Sequence, residues 1–491
     1  MNFNKIAIAN RGEIAVRIIQ ACHELNIKTV LLHSEADINS DAYNLSDENI
    51  CIGGALSSES YLNIEANIQG ALSLGAQAIH PGFGFLSENF KFAQACNKNK
   101  LIFIGPDPNT MESFADKLQA KKIAQNAGLP TLPSIEASGL ADLEIINIAD
   151  KITYPVMLKI TGGGGGRGLR VVFDEENLLQ SVKSIKKEGL NSFSSSDFFI
   201  EKFLSQARHI EIQIFVDTYG KVFCLGERDC SVQRKNQKVI EEAPAMGLSE
   251  ELKKQLYDSA INLVNSTSYK GAGTVEFLVS GNQFYFLEMN TRLQVEHHVT
   301  DLVYSVDLVK AQILTAQNKS LSWNEKQLSS KGHSIECRIY AEDPETGIPS
   351  LGVIEDLKWG QGSGRHFHSG ISKGSEITSY YDAMIAKVIV YDETRTRAIN
   401  KIKLALKESV IFGIKTNIPT LLKILSSPEF ILGEVNTQFL SDCHFEEQKF
   451  STLKDNKDFI VSSILKKIKN NNTGSNTDTD VKKDLNPWLV N

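Results

Sequence analysis

The stretch Thr274-Val275-Glu276-Phe277-Leu278, with Phe284-Tyr285-Phe286-Leu287-Glu288-Met289-Asn290 beyond the turn residues Gly281-Asn282-Gln283, decides how this chain is read. Aromatic and β-branched residues on both sides of turn formers predict a β-hairpin. Period-two alternation puts Thr274, Glu276 and Leu278 on one face, and Phe286, Glu288 and Asn290 on one face of the returning strand. A three-residue loop pairs Ser280 with Phe284 and sets Glu276 opposite Glu288. Like charges at that position, with Cα atoms ~4.5 to 5.5 Å apart, repel each other. A bridging cation removes the repulsion, and oxygen ligands beside nucleotide phosphates select magnesium or manganese. The apolar neighbours on both strands weigh against two carboxylates standing in water.

Directly after the hairpin, Asn290-Thr291-Arg292-Leu293-Gln294-Val295-Glu296-His297 supplies an arginine, an amide and a carboxylate within five residues. Arg292 has the planar fork that holds a carboxylate-like anion through two bonds, and Glu296 is placed to act as a base on it. Upstream, Arg208 to Val216 alternates strictly, with Ile210, Ile212 and Ile214 facing one way and His209, Glu211 and Gln213 the other. That polar face either lines a nucleotide site or is a solvated sheet face. The run Glu227-Arg228-Asp229-Cys230-Ser231-Val232-Gln233-Arg234-Lys235-Asn236-Gln237-Lys238 reads, taken alone, as a surface loop. Its position between the polar strand and the carboxylate hairpin raises Gln233 and Lys238 as ligands. Cys230 beside these charges has two readings, a thiol of lowered pKa or a small buried group.

Lys159-Ile160-Thr161 precedes Gly162 to Gly166, Arg167 and Gly168. Each glycine costs roughly 0.5 to 1 kcal/mol in backbone entropy relative to alanine, so such a run needs a reason. A mobile lid or backbone N–H groups closing on phosphates supplies one, and Lys159 and Arg167 favour phosphates. Strand-like Tyr154 to Ile160 and Leu169 to Phe173 on either side predict a hairpin flap. No Gly-Lys-Ser/Thr follows at the P-loop spacing.

Working outward, the first ~110 residues alternate apolar strands with helical patterns, as a parallel sheet with crossover helices requires. The strands are Lys5 to Ala9, Thr29 to His33, Ala76 to His80 and Leu101 to Gly105, and the first helix is Gly12 to Leu25. This Rossmann-like block lacks the dinucleotide fingerprint, because Ser87 stands where the third glycine of Gly82-Phe83-Gly84 belongs. The class is α/β followed by α+β. Expected domains are 1–113, 114–330 with a lid at about 131–204, and 331–446, followed by a polar, flexible tail at 447–491.

A length of 491 residues exceeds one ordinary core and suits about three domains. Lys plus Arg at 52 against Asp plus Glu at 59 leaves a net charge of −7, which argues against nucleic acid as a partner. No run approaches the ~18 apolar residues of a membrane span, so the chain reads as cytoplasmic. The cysteines, Cys22, Cys51, Cys96, Cys224, Cys230, Cys337 and Cys443, are scattered without a Cys-x-x-Cys pair, which suggests reduced thiols.

Taken together, Lys159 with its glycine run, Glu201-Lys202-Phe203-Leu204, the pair Glu276 and Glu288, and Glu288 through His297 resemble the ATP-grasp enzyme biotin carboxylase. The resemblance extends to Ile8-Ala9-Asn10-Arg11-Gly12-Glu13-Ile14-Ala15 and His80-Pro81-Gly82-Phe83-Gly84-Phe85-Leu86-Ser87-Glu88-Asn89, covering about residues 1 to 445. It implies a Rossmann-like first domain, an ATP-grasp centre with a glycine lid and a C-terminal α+β domain. It also implies that ATP phosphorylates bicarbonate to carboxyphosphate, whose breakdown carboxylates biotin, as the first half-reaction of an acetyl-CoA or other acyl-CoA carboxylase. By position, Lys117, Lys159, His209 and the glycines, Gly164, Gly165 and Gly166 among them, would hold phosphates. Glu201, Lys202 and Leu204 would flank adenine, with Gln233 and Asn236 further nucleotide contacts. Glu276, Glu288 and Asn290 would hold Mg2+ or Mn2+. Bicarbonate would rest on Lys238, Arg292, Gln294 and the backbone of Val295, with Glu296 as base and Arg338 stabilising charge on the ureido oxygen of biotin.

Three positions depart from that pattern. Asn236 replaces a histidine and cannot carry charge. His298 replaces a proline, either as a neutral surface residue or as one that perturbs Glu296, and Phe83 replaces a tyrosine as packing. A Met-Lys-Met biotinylation signature is absent, so the resemblance implies a biotin carboxyl carrier on another chain, carboxyltransferase subunits as partners, and a homodimer. Other readings are a pyruvate or urea carboxylase subunit, another carboxyphosphate-forming ligase, or a nucleotide-binding subunit that has lost catalysis.

Overall fold

The computed structural model describes residues 3–161, 168–193, 195–324 and 328–442. Strands β1 (Lys5–Ile8), β2 (Lys28–Ser34), β3 (Glu48–Gly53), β4 (Ala78–His80) and β5 (Ile102–Phe103) form a parallel sheet in the order β3-β2-β1-β4-β5. The helix Gly12–Glu24 buries Ile14, Ile18 and Cys22 at steps of four, the stripe that periodicity predicts. β3 is an edge strand with only Ile52 buried, which left it without a clear apolar run to find. Asn10 Nδ2 donates to the carbonyls of Pro81 at 2.6 Å and Phe83 at 2.7 Å. Gly82 has φ +61°, and a Cβ there would meet Asn10 Nδ2 and Ile14 Cγ1 at 3.0 Å. Glycine is therefore demanded at Gly82 by close packing against the β1 loop.

A second sheet has β6 (Ser134–Glu136), β7 (Val156–Ile160), β8 (Leu169–Val172) and β9 (Phe198–Lys202) in the antiparallel order β6-β9-β7-β8. Lys159 pairs with Leu169, so the glycine run joins two antiparallel strands as a flap does. Gly164, Gly165, Gly166 and Arg167, like the tail at 447–491, lie outside the described residues.

The largest sheet contains β10 (Arg208–Val216), β11 (Val222–Arg234), β12 (Gln237–Ala243), β13 (Gly271–Ser280), β14 (Gln283–Asn290) and β15 (His333–Tyr340). Two short ladders follow, β16 (Gly352–Val353) with β19 (Glu376–Ile377) and β17 (Asp356–Lys358) with β21 (Val410–Phe412). Between them β18 (Arg365–Ser369) and β20 (Met384–Asp392) complete the eight strands in the order β14-β13-β10-β11-β12-β15-β20-β18. Because β12 pairs with β15, Ile240 opposite Cys337, strands far apart in sequence share one surface. Among the described residues no helix is long and apolar enough to cross a membrane.

Two sequence expectations are corrected here. The hairpin turn has two residues, not three, since Ser280 pairs with Gln283 and Gly281 takes φ +59°. A bulge between Glu276 and Phe277 then absorbs one residue, so Glu276 does face Glu288. The bulge also separates Phe286 from Glu288: Phe286 packs in the apolar core with Val275 and Phe277, while Glu288 meets Lys117 on the other side. The second correction concerns Glu227 to Arg234, which is the inner strand β11 and not a surface loop. Its charges are tolerated in the interior because each finds a partner there.

Candidate active site

The polar faces of β10, β11, β13 and β14 turn toward one another's charges. Glu276 Oε1 accepts from Lys238 Nζ at 2.9 Å, Asn290 Nδ2 at 2.8 Å and Gln294 Nε2 at 3.1 Å. Its Oε2 lies 2.9 Å from His209 Nε2. Burial pushes the Glu276 carboxyl up, but Lys238 and His209 outweigh it and hold the group far below the usual range. Across the ladder Glu288 is lowered first by Lys117, whose Nζ donates to Oε2 at 2.9 Å. Protein cations thus offset the repulsion between the two carboxylates. The donors of Glu276, Glu288 and Asn290 are oxygens on one face of adjacent strands, a set that suits a small hard cation.

Glu296 ends the segment after β14 and begins the helix His297–Tyr304. Its side chain is 0% exposed, with Oε1 taking Lys238 Nζ at 2.7 Å and Oε2 taking Arg338 Nη2 at 2.9 Å. Burial alone would raise its pKa; the combined fields of Lys238, Arg338 and Arg228 overcome that and hold it well below the ordinary value. Arg338 reaches Glu296 from β15, and its Nε donates to Glu241 on β12 at 2.6 Å. Arg292 donates to Glu88 at 2.8 Å, Gln294 Oε1 at 2.8 Å and Asn290 Oδ1 at 3.1 Å. The carbonyl of Val295 accepts from Lys387 Nζ at 2.5 Å. Contacts run without a break from Arg292 through Gln294, Glu276, Lys238 and Glu296 to Arg338.

On the nucleotide side, Glu201 is buried on β9 and clasped by Lys121 and Lys159 together. Lys202 donates to the carbonyls of Thr153 at 3.0 Å and Tyr154 at 3.1 Å, and Leu204 follows half-buried. Gln233 donates to His209 Nδ1 at 2.7 Å, fixing the ring that meets Glu276. Asn236 stands apart in the exposed two-residue turn Lys235-Asn236, with φ +51° and +63°. Asparagine tolerates that left-handed backbone better than most residues. Cys230 is buried and its thiol is pushed well up by desolvation and by Glu211. His298 is not a surface residue: it is largely buried against His366 and His368 at ring distances of 5.4 and 4.4 Å, and held down to about 3 by burial.

Sequence reasoning missed several participants. Arg228 is 0% exposed and donates to Glu211 at 2.5 Å, Gln213 at 2.7 Å, Thr300 at 2.9 Å and Thr274 at 3.1 Å. Lys121, Glu88, Glu241 and Lys387 also escaped notice. The alternation that placed Glu211 and Gln213 on one face was the signal available for Arg228, because a buried polar face needs a cation opposite it.

Residues 2–111 match the family described as biotin carboxylase, N-terminal domain, and residues 336–442 the biotin carboxylase C-terminal domain. Residues 116–324 match the carbamoyl-phosphate synthase L chain, ATP binding domain. Biotin carboxylase of Haemophilus influenzae is 46% identical over 437 residues, covering 89% of this chain and 98% of the relative. The mitochondrial propionyl-CoA carboxylase alpha chain of Sus scrofa is 41% identical over 470 residues, or 94% of this chain and 64% of the relative. A crystal structure of a biotin carboxylase–βγ-ATP complex from Campylobacter jejuni superposes with a TM-score of 0.87 at 42% identity, covering 90% of this chain and 99% of that one. The biotin carboxylase domain dimer of Hydrogenobacter thermophilus 2-oxoglutarate carboxylase, in complex with MgADP, ADP and bicarbonate, gives 0.86 at 40%, covering 90% and 98%. With this sequence identity spanning the three sheets and the charged centre, the chain belongs to the biotin carboxylase family.

Proposed function

We propose that this chain uses ATP and bicarbonate to carboxylate biotin borne on a carrier protein, in the cytoplasm, as the first half-reaction of an acyl-CoA carboxylase. The observation that carries the reading is Glu296, fully buried and paired with both Lys238 and Arg338, whose charges hold its pKa below the ordinary value. Lys117, Lys159, His209 and Gly164 to Gly166 are the phosphate contacts of this reading, with Glu201, Lys202, Leu204, Gln233 and Asn236 around the nucleotide. Glu276, Glu288 and Asn290 would hold Mg2+ or Mn2+, which would supply positive charge against the phosphates. Bicarbonate, an anion, competes with Glu296 for Lys238 and rests on Arg292, Gln294 and the Val295 backbone.

That competition gives the base its strength. While Lys238 and Arg338 both face Glu296 its proton affinity is low; once Lys238 turns to bicarbonate, the carboxylate gains basicity where the proton must be taken. The deprotonated bicarbonate then attacks the γ-phosphorus of ATP and ADP leaves. The carboxyphosphate breaks down to carbon dioxide and phosphate, the phosphate takes the proton of the biotin ureido nitrogen, and that nitrogen bonds to the carbon dioxide. Arg338, fixed by Glu241, stabilises the negative charge that develops on the ureido oxygen. The 98% coverage of the Haemophilus influenzae biotin carboxylase supports a biotin carrier and a carboxyltransferase as partners, and the Hydrogenobacter thermophilus domain dimer supports a homodimer. The test is to supply labelled bicarbonate, ATP, Mg2+ and free biotin to the purified full chain. Label in acid-labile carboxybiotin, dependent on ATP, is the expected result; ATP cleavage stimulated by ammonia with no labelled biotin would overturn the reading.

A further inference from the structure

Immediately beyond the base, a second group of ligating side chains lies outside the proposed reaction. The helix His297–Tyr304 carries His297 and Asp301 one turn apart, and His298 as the i,i+3 neighbour of Asp301. β18 brings His366 and His368 against them, with the His298 and His368 ring centroids 4.4 Å apart. Asp301 Oδ2 lies 3.3 Å from His298 Nδ1 and 3.8 Å from His297 Nε2. One ligating atom from each of His297, His298 and Asp301 lies within 4.8 Å of the others.

Three ring nitrogens here, His297 Nε2, His298 Nε2 and His368 Nδ1, are buried without a hydrogen-bond partner. His297 is 0% exposed, and its Nδ1 sits 2.9 Å from the carbonyl of Gln294. A carbonyl can only accept, so Nδ1 carries the proton and Nε2 presents its lone pair toward Asp301, the orientation seen when a backbone carbonyl steers a metal-binding histidine. The nearby cations are already engaged. Arg17 pairs with Asp307 at 2.6 Å, while Lys387 meets Glu13 at 3.2 Å, Glu336 at 3.9 Å and the Val295 carbonyl. Glu13 Oε2 also stands 3.9 Å from His368 Nδ1. Imidazole nitrogen and one carboxylate form a donor set for a borderline-soft ion such as zinc, whereas the oxygens of Glu276, Glu288 and Asn290 suit a hard one. Ligands ~2.0 to 2.1 Å from a tetrahedral ion stand roughly 3.3 Å apart, close to the separations around Asp301.

We propose that His297, His298 and Asp301 form a binding site for one first-row transition-metal ion of the zinc class, walled by His368 and separate from the hard-cation position between β13 and β14. The ion holds the first turn of the helix that starts at Glu296. The probe is cobalt(II), added to chelator-treated full-length protein in excess Mg2+, because cobalt held by few nitrogen ligands absorbs visible light strongly and oxygen-bound octahedral cobalt weakly. One equivalent with an intense visible band is expected. His298→Ala and, independently, His297→Gln should each weaken binding by roughly tenfold or more. Glu276→Gln should leave the band unchanged. Absence of the band, or a band insensitive to both histidine substitutions, overturns the proposal. Loss of the band in Glu276→Gln with retention in His298→Ala moves the ion to the catalytic centre and overturns it as well.

Discussion

Ile210, Ile212 and Ile214 on one face of β10 and His209, Glu211 and Gln213 on the other are all buried, but opposite physics holds the two faces. The isoleucines pack with Leu256, Val275 and Phe277, where any residue of similar volume and apolarity serves. The polar face tolerates burial only because Glu211 meets Arg228 and Lys238, and because Gln213 meets Arg228. An apolar face fails gradually as atoms are removed. A buried charge network fails when one member leaves and its partners stand uncompensated.

The largest loss is expected at the chemistry. Glu296→Gln should lower biotin-dependent turnover by roughly 10²-fold or more, the ordinary contribution of a general base. Its melting temperature should also fall, because the stabilisation from the ionised Glu296 is lost, but only in part, since Lys238 retains Glu211 and Glu276, and Arg338 retains Glu241. Next comes Arg228→Met, which leaves Glu211 without its guanidinium and should cost about 3 to 5 kcal/mol in urea unfolding. Ile212→Val on the opposite face of the same strand should cost only about 0.5 to 1.5 kcal/mol. Equal losses for these two substitutions would erase the distinction between the faces.

A smaller effect depends on pH. Glu336 is buried on β15 and burial raises its pKa well above the ordinary value, despite Lys387. A carboxyl raised on folding contributes fully below its unfolded pKa and loses that contribution as pH climbs toward the folded value. The melting temperature of Glu336→Gln minus that of the wild type should therefore grow from pH 5 to pH 8. Glu276 and Glu296, both lowered on folding, have the opposite sign: their stabilisation is present above the ordinary glutamate range and fades as pH falls below it. A flat difference for Glu336→Gln would show that its carboxyl ionises freely.

The legible part of the sequence was whatever repeats locally. The stripe of Ile14, Ile18 and Cys22, the alternation of β10 and the flap strands around the glycine run all appear at their expected places. Glu276 does face Glu288, although the expected turn was one residue too long and the bulge at Leu287 made up the difference. Leu287 is as apolar as its neighbours, so no composition signal marks it as the extra residue. What stayed hidden depends on distant pairing. Arg338 and Glu241 are 97 residues apart and meet because β15 lies beside β12; Lys387 reaches Val295 across 92 residues. The same long-range closure carries His368 to His298.

The most direct measurement of the account is ADP release by the purified full chain with MgATP and bicarbonate, with and without free biotin. Biotin should accelerate release severalfold in the wild type and leave Glu296→Gln nearly silent. Equal rates with and without biotin in the folded wild-type chain, or stimulation by ammonia in its place, would contradict it.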